Sequence, residues 1–98
     1  MTATTRRYQR LLHEMLPYLA AHYRVSALGM FGSYVHGTQR PNSDLDVLVT
    51  FDETPSLFRL IETENYLSDQ LGVKVDLVVR ESLKPHIGKR VLREVVPV

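Results

Sequence analysis

Ninety-eight residues, 44% of them apolar and 23% charged, describe an ordinary globular composition with enough apolar material for one small core. Twelve basic residues against eleven acidic ones leave a formal charge of +1, which speaks against a general nucleic-acid or membrane-surface binder. Without cysteine there are no disulfides, thiolate metal sites or cysteine nucleophiles; no apolar run approaches the roughly 20 residues that span a bilayer, and no secretory signal is visible, so a single cytoplasmic domain over residues 1–98 is expected.

Over residues 4–23, Tyr8, Leu11, Leu12, Met15, Leu16, Leu19 and Tyr23 recur at helical spacing and form one apolar stripe. Pro17 lies inside it. Lacking an amide donor and crowding the preceding turn, it is expected to kink the helix or begin a second one. Residues 25–31 read as a short buried strand ending at Gly32. Residues 33–43, with Gly37, Pro41 and Asn42, read as a loop with one helical turn at its start. Leu45, Val47, Leu48, Val49 and Phe51 are apolar on both parities, as suits a central strand covered on both faces. Thr54-Pro55 resembles an N-cap followed by proline at the first helical position. Leu57, Phe58, Ile61, Leu67 and Leu71 carry the helical period, and Gly72 is placed to end it. Residues 73–79 read as another strand, and Ser82 is positioned to cap a last helical segment reaching Glu94, interrupted early by Pro85 and Gly88.

This order predicts an α/β (α+β) domain, a small mixed sheet of about three strands backed by helices. The segment after residue 31 is too short for a helical crossover, so the first two strands should be antiparallel neighbours. The helix over residues 57–71 suits a right-handed crossover between parallel strands.

Asp44 and Asp46, two apart at the entry to the central strand, point to one face. Asp76, between the core-like Val75 and Leu77, points away from both. Three carboxylates can therefore meet beside Gly32-Ser33 at one end of the sheet. Two of them about 4 Å apart repel by about 4 kcal/mol at an effective dielectric near 20, so the cluster calls for a cation. Oxygen ligands without histidine or cysteine favour Mg2+ or Mn2+, and two such ions can clamp a phosphoryl transfer. Opposite them, Gly32 allows close backbone approach, and a turn of helix starting at Ser33 aims amide donors at a phosphate.

Gly32-Ser33, ten intervening residues, then Asp44-Leu45-Asp46 resembles the GS-x10-DxD signature of DNA polymerase β-like nucleotidyltransferases. Val47-Leu48-Val49 and Lys74-Val75-Asp76-Leu77-Val78 are similar to the minimal, MNT-type branch, and the likeness spans nearly the whole chain, including Val91-Leu92-Arg93-Glu94. The resemblance implies a nucleotidyltransferase fold and a catalytic set of Asp44, Asp46 and Asp76. Asp44 and Asp46 would ligate both of two Mg2+ ions, and Asp76 would hold the catalytic one and help deprotonate the incoming hydroxyl. It further implies ATP as substrate, with the triphosphate on Gly32 and Ser33. The partner it implies is a HEPN-domain toxin, one tyrosine of which receives AMP, so that the chain acts as antitoxin within a heteromeric complex. No direct nucleic-acid or membrane contact is expected. A catalytically silent antitoxin that only covers its partner, or the transferase subunit of a small-molecule-modifying enzyme, are the alternatives. Tyr34-Val35-His36-Gly37 departs from the family, which often has alanine and arginine before that glycine, and this puts one phosphate contact in question.

Other residues carry weaker readings. Arg40 is a solvated loop residue, a partner of Asp44 or a nucleotide contact, and His36 has a packing or exposed role within the loop. His13, His22 and His86 share no metal-ligand spacing. Lys84, Lys89, Arg90 and Arg93 form a basic stretch whose first reading is a solvated helix face and whose second is a partner-docking or nucleotide-proximal surface.

Overall fold

Thr2 opens the first element: its hydroxyl accepts the Thr5 amide at 3.1 Å, capping a 21-residue helix α1, Ala3–Tyr23. The computed structural model describes residues 1–98. After α1 come β1 (Val25–Phe31), α2 (Ser33–His36), β2 (Leu45–Phe51), α3 (Leu57–Leu71), β3 (Val75–Val79), a 3-10 turn (Arg80–Ser82), α4 (Pro85–Glu94) and β4 (Val96–Pro97). The sheet order is β3-β2-β1-β4. As expected, β1 and β2 are antiparallel, and β2 and β3 are parallel neighbours joined through α3.

Four details correct the sequence reading. The sheet has four strands rather than about three, because Val96 and Pro97 pair with Met30 and Gly29 of β1; two residues carry no periodicity that could announce a strand. Pro17 does not begin a second helix, since α1 runs through it as one element. The carbonyl it leaves without an amide belongs to His13, on the exposed side of the helix where water can serve it. The cap of α3 is Ser56, whose hydroxyl accepts the Arg59 amide at 3.1 Å, so Thr54 and Pro55 lie before the helix. Ser82 ends the 3-10 turn instead of capping α4, which starts with Pro85 at its first position and has no side-chain cap; Pro85 thus opens the helix, and only Gly88 lies within it.

One hydrophobic cluster joins α1, α3 and the sheet face they cover: Leu12 and Leu19 from α1, Met30 from β1, Val47 and Val49 from β2, and Leu67 from α3 are all fully buried. Each such side chain contributes about 1.5–3 kcal/mol of burial free energy. Strand β3 is an edge strand, yet two of its outward amides are not left to water. Leu77 N–H donates to Glu64 Oε2 at 2.8 Å and Val75 N–H to Ser68 Oγ at 3.0 Å. Glu64 and Ser68 sit four apart on α3, one turn above the other, so the crossover helix fixes the height of β3 against β2. This matters because Asp76 lies between those two amides.

Candidate active site

The pleat brings the acids together. Asp46 and Asp76 are direct partners in the parallel β2–β3 ladder, so their side chains leave the same face of adjacent strands. Asp76 is exposed while its neighbours Val75 and Leu77 are buried, as expected from the sequence. Asp44 stands two residues before Asp46, just outside β2, where the Leu45 amide donates to Lys74 O at 2.8 Å. All three acids therefore lie at one end of the sheet.

Their electrostatics are strained. Asp46 has its carboxyl pushed up from the ordinary 3.8 to about 6, by burial first, then by the charges of Asp76 and Asp44, and by a side-chain hydrogen bond with Asp76. The nearest compensation is slight. Lys74 Nζ is 3.9 Å from Asp44 Oδ2, with the lysine largely in solvent and the aspartate partly so, and a long pair of this kind is worth little. Lys74 thus pairs with Asp44 and not with Asp76, and the side chain of Arg40 joins neither. Arg40 instead closes the loop through its backbone, its amide donating to Ser43 Oγ at 2.8 Å and its carbonyl accepting the Ser43 amide at 3.0 Å.

Gly32 forms the other half of the site. Its φ of 78° and ψ of −154° belong to a region open essentially only to glycine, and a Cβ there would run into the Asp46 carboxylate. Phe31 is the ladder partner of Asp46, so β1 delivers the Gly32-Ser33 bend directly beside the acids. The single turn α2 follows, as expected. Val35 and His36 amides both donate to Gly32 O at 3.1 Å. Three residues whose part in the site the sequence did not show hold this turn in place. Tyr34 is buried edge-on against Tyr8, ring centroids 5.7 Å apart, and Thr5 Oγ1 donates to Tyr34 O at 3.1 Å. Burial, Tyr8 and the nearby Asp44 raise the Tyr34 phenol above its usual 10.0. The signal lay in Thr5 and Tyr8, three apart on the helix, but only the fold shows what they grip.

Beside the bend lies a cleft of about 430 Å³ between α2 and α4, lined by Phe31, Gly32, Ser33, His36, Ile87, Arg90 and Glu94 among others. His36 is exposed and its Nε2 is 3.1 Å from Glu94 Oε2.

The acids fit an oxygen-preferring divalent cation, since the donor set is carboxylate only and Asp46 carries uncompensated negative charge. No three acidic or histidine side chains are already drawn into a closed ligand cage.

A mixed sheet that presents an acidic cluster on adjacent strands beside a glycine–serine bend defines a nucleotidyltransferase. The chain belongs to that family: the family of the nucleotidyltransferase domain matches residues 12–98. It is 49% identical over 92 residues to the protein adenylyltransferase MntA of Thermococcus cleftensis, covering 87% of this chain and 93% of that one. Among solved structures it is similar to one described as a minimal nucleotidyltransferase, with 36% identity, a TM-score of 0.76 and 91% of each chain covered. It is also similar to a chain of a toxin–antitoxin crystal structure with AMP-PNP, at 27% identity and a TM-score of 0.71, covering 86% of this chain and 69% of that one.

Proposed function

We propose that the chain, as a single minimal domain over residues 1–98, transfers AMP from ATP to a hydroxyl of a protein partner, a tyrosine of a HEPN-domain toxin, and so acts as its cytoplasmic antitoxin. The observation that carries the reading is the pairing of Asp46 with Asp76 beside Gly32, where half-buried negative charge lacks a counterion. Likeness to a protein adenylyltransferase and to a toxin–antitoxin chain supports the acceptor and the biological role.

Asp44, Asp46 and Asp76 would hold two Mg2+ ions, with Mn2+ as a substitute. Magnesium, when bound, supplies positive charge to the α-phosphate and to the attacking and leaving oxygens. The remaining work belongs to the chain. Gly32 and Ser33 bind the triphosphate, the glycine by letting backbone come close and the serine through its hydroxyl. The acceptor oxygen attacks the α-phosphorus, the bond to the bridging oxygen breaks and pyrophosphate leaves. Asp76, the most exposed of the sheet's paired acids, accepts the acceptor's proton.

The test is intact mass. Purified chain, ATP and Mg2+ are mixed with the product of the adjacent gene. A gain of about 329 Da per AMP unit on that product, lost with Asp46→Asn, supports the reading. An unmodified partner in a stable complex supports a silent antitoxin that works by occlusion. Modification of a small molecule alone supports a resistance-type transferase subunit.

A further inference from the structure

The sequence leaves the basic stretch of α4 undecided between a solvated face and a nucleotide-proximal one, and the structure divides it. Lys89 and Arg93 line a separate shallow depression with Leu92 and do not line the cleft beside the bend. Arg90 alone among the four basic residues lines the cleft that also contains Gly32, Ser33 and His36. Across that cleft runs one carboxylate with two nitrogen-bearing neighbours, an imidazole and a guanidinium. Glu94 Oε2 is 3.1 Å from His36 Nε2, and Glu94 Oε1 is 3.9 Å from Arg90 Nε. Glu94 is the less exposed partner in both pairs, at 32% against 47% for His36 and 76% for Arg90. So α4, which is amphipathic and joined to the sheet through β4, is tied to the site loop by a single acid.

We propose that Arg90, a residue of α4 outside the acidic cluster and the Gly-Ser bend, binds the β- and γ-phosphates of the nucleotide, with Glu94 occupying its guanidinium until the triphosphate displaces it. The proposal rests on the nucleotidyl-transfer reading above. Three observations point the same way. The cleft is contiguous with Gly32 and Ser33 and lies on their α4 side, away from Asp44 and Asp76, which do not line it. That is where a triphosphate tail extends if its α-phosphate faces the acids. The bend itself supplies no permanent cation, since Tyr34, Val35 and His36 fill the turn between Ser33 and Gly37, so one must come from elsewhere in the cleft. Arg90 provides a planar fork of donors that matches phosphate oxygens. Its present contact with Glu94 is long and solvent-exposed, and such a pair gives way readily to a polyanion.

Calorimetric titration of the unmodified 98-residue chain with ATP and with AMP, each with Mg2+, tests the assignment. Arg90→Ala is expected to weaken ATP binding by about tenfold to a hundredfold while changing AMP binding less than about twofold. Arg90→Lys should recover part of the loss, and Glu94→Gln should tighten ATP by a few-fold. Lys89→Ala and Arg93→Ala serve as controls with unaltered ATP affinity. Arg90 is so exposed that its replacement should leave the fold intact, which a thermal melt checks. Equal weakening of ATP and AMP, or no change for Arg90→Ala beside a chain that binds ATP well, overturns the role of Arg90 and leaves the transferase reading standing. Failure of the unmodified chain to bind ATP with Mg2+ overturns both.

Discussion

Strand β2 has two faces built to different rules. Leu45, Val47 and Val49 turn toward α1 and α3 and have no exposed surface at all. Asp46, Leu48 and Thr50 turn the other way, toward a face approached by the 3-10 turn, α4 and the chain's end, with a shallow groove of about 320 Å³ beside Leu48 and Thr50. Period-two alternation lets a single strand of seven residues do both jobs. The covered face carries the stability. The open one carries charge that the chain's own residues leave poorly balanced, a divergence expected where a site is built for a ligand rather than for itself.

Substitutions on the two faces should therefore separate activity from stability. The largest effect is expected on the open face: Asp76→Asn should lower AMP transfer by about a thousandfold, read from initial rates, with a melting temperature close to that of the parent chain. An unfolded Asp76→Asn protein would mean that the acid is structural and that the two faces are not separable. On the covered face, Leu67→Ala empties a fully buried position and should destabilise the chain by about 3 kcal/mol in urea unfolding. Its activity per folded molecule should be unaltered.

Gly32 lies where the faces meet, and Gly32→Ala should lose on both accounts. Forcing a Cβ into that backbone region costs about 2 kcal/mol, and the methyl would displace the Asp46 carboxylate, so activity falls together with stability.

The smallest effect is a gain. The Asp46 carboxyl titrates higher in the folded chain, about 6, than the ordinary 3.8 it has when unfolded. Between those values the unfolded chain ionises first, so the metal-free protein loses stability as pH rises from about 4 to about 6 and keeps that loss above. Asp46→Asn escapes it. The variant should match the parent near pH 3.5 and exceed it by about 1 kcal/mol at pH 7.5, after allowance for solvent screening at a partly exposed site. Added Mg2+ should raise the melting temperature of the parent at pH 7.5 and leave that of Asp46→Asn nearly unchanged. A variant no more stable than its parent at pH 7.5 would show that the acids are already well compensated.

Much of this was legible in one dimension because it is local. Helical spacing marks α1 and α3, apolar runs mark β1 and β2, and Gly72 marks the end of α3 by its left-handed φ of 70°. The spacing of Gly32, Ser33, Asp44 and Asp46 marks a site because two residues on one strand and one bend between neighbouring strands have little freedom to lie elsewhere. Other features were not legible, for a common reason: each joins residues that the sequence separates. The β4 pairing links Val96 to Met30, the anchoring of α2 links Thr5 to Tyr34, the support of β3 links Glu64 to Leu77, and the bridge across the cleft links His36 to Glu94. Spacing along a chain cannot specify such contacts, because they are chosen by how helices dock on the sheet.

The sequence alone determined which faces are apolar, which residues are acidic and how far apart they stand along the strands, since backbone periodicity converts those facts directly into a sheet with three carboxylates at one end. Only the tertiary structure decided that Asp46 bears the unbalanced charge, that Gly32 must be a glycine because Asp46 stands against it, and that Arg90 rather than Lys89 or Arg93 enters the cleft. Those outcomes depend on distance and burial, and distance and burial exist only once the helices have closed over the sheet.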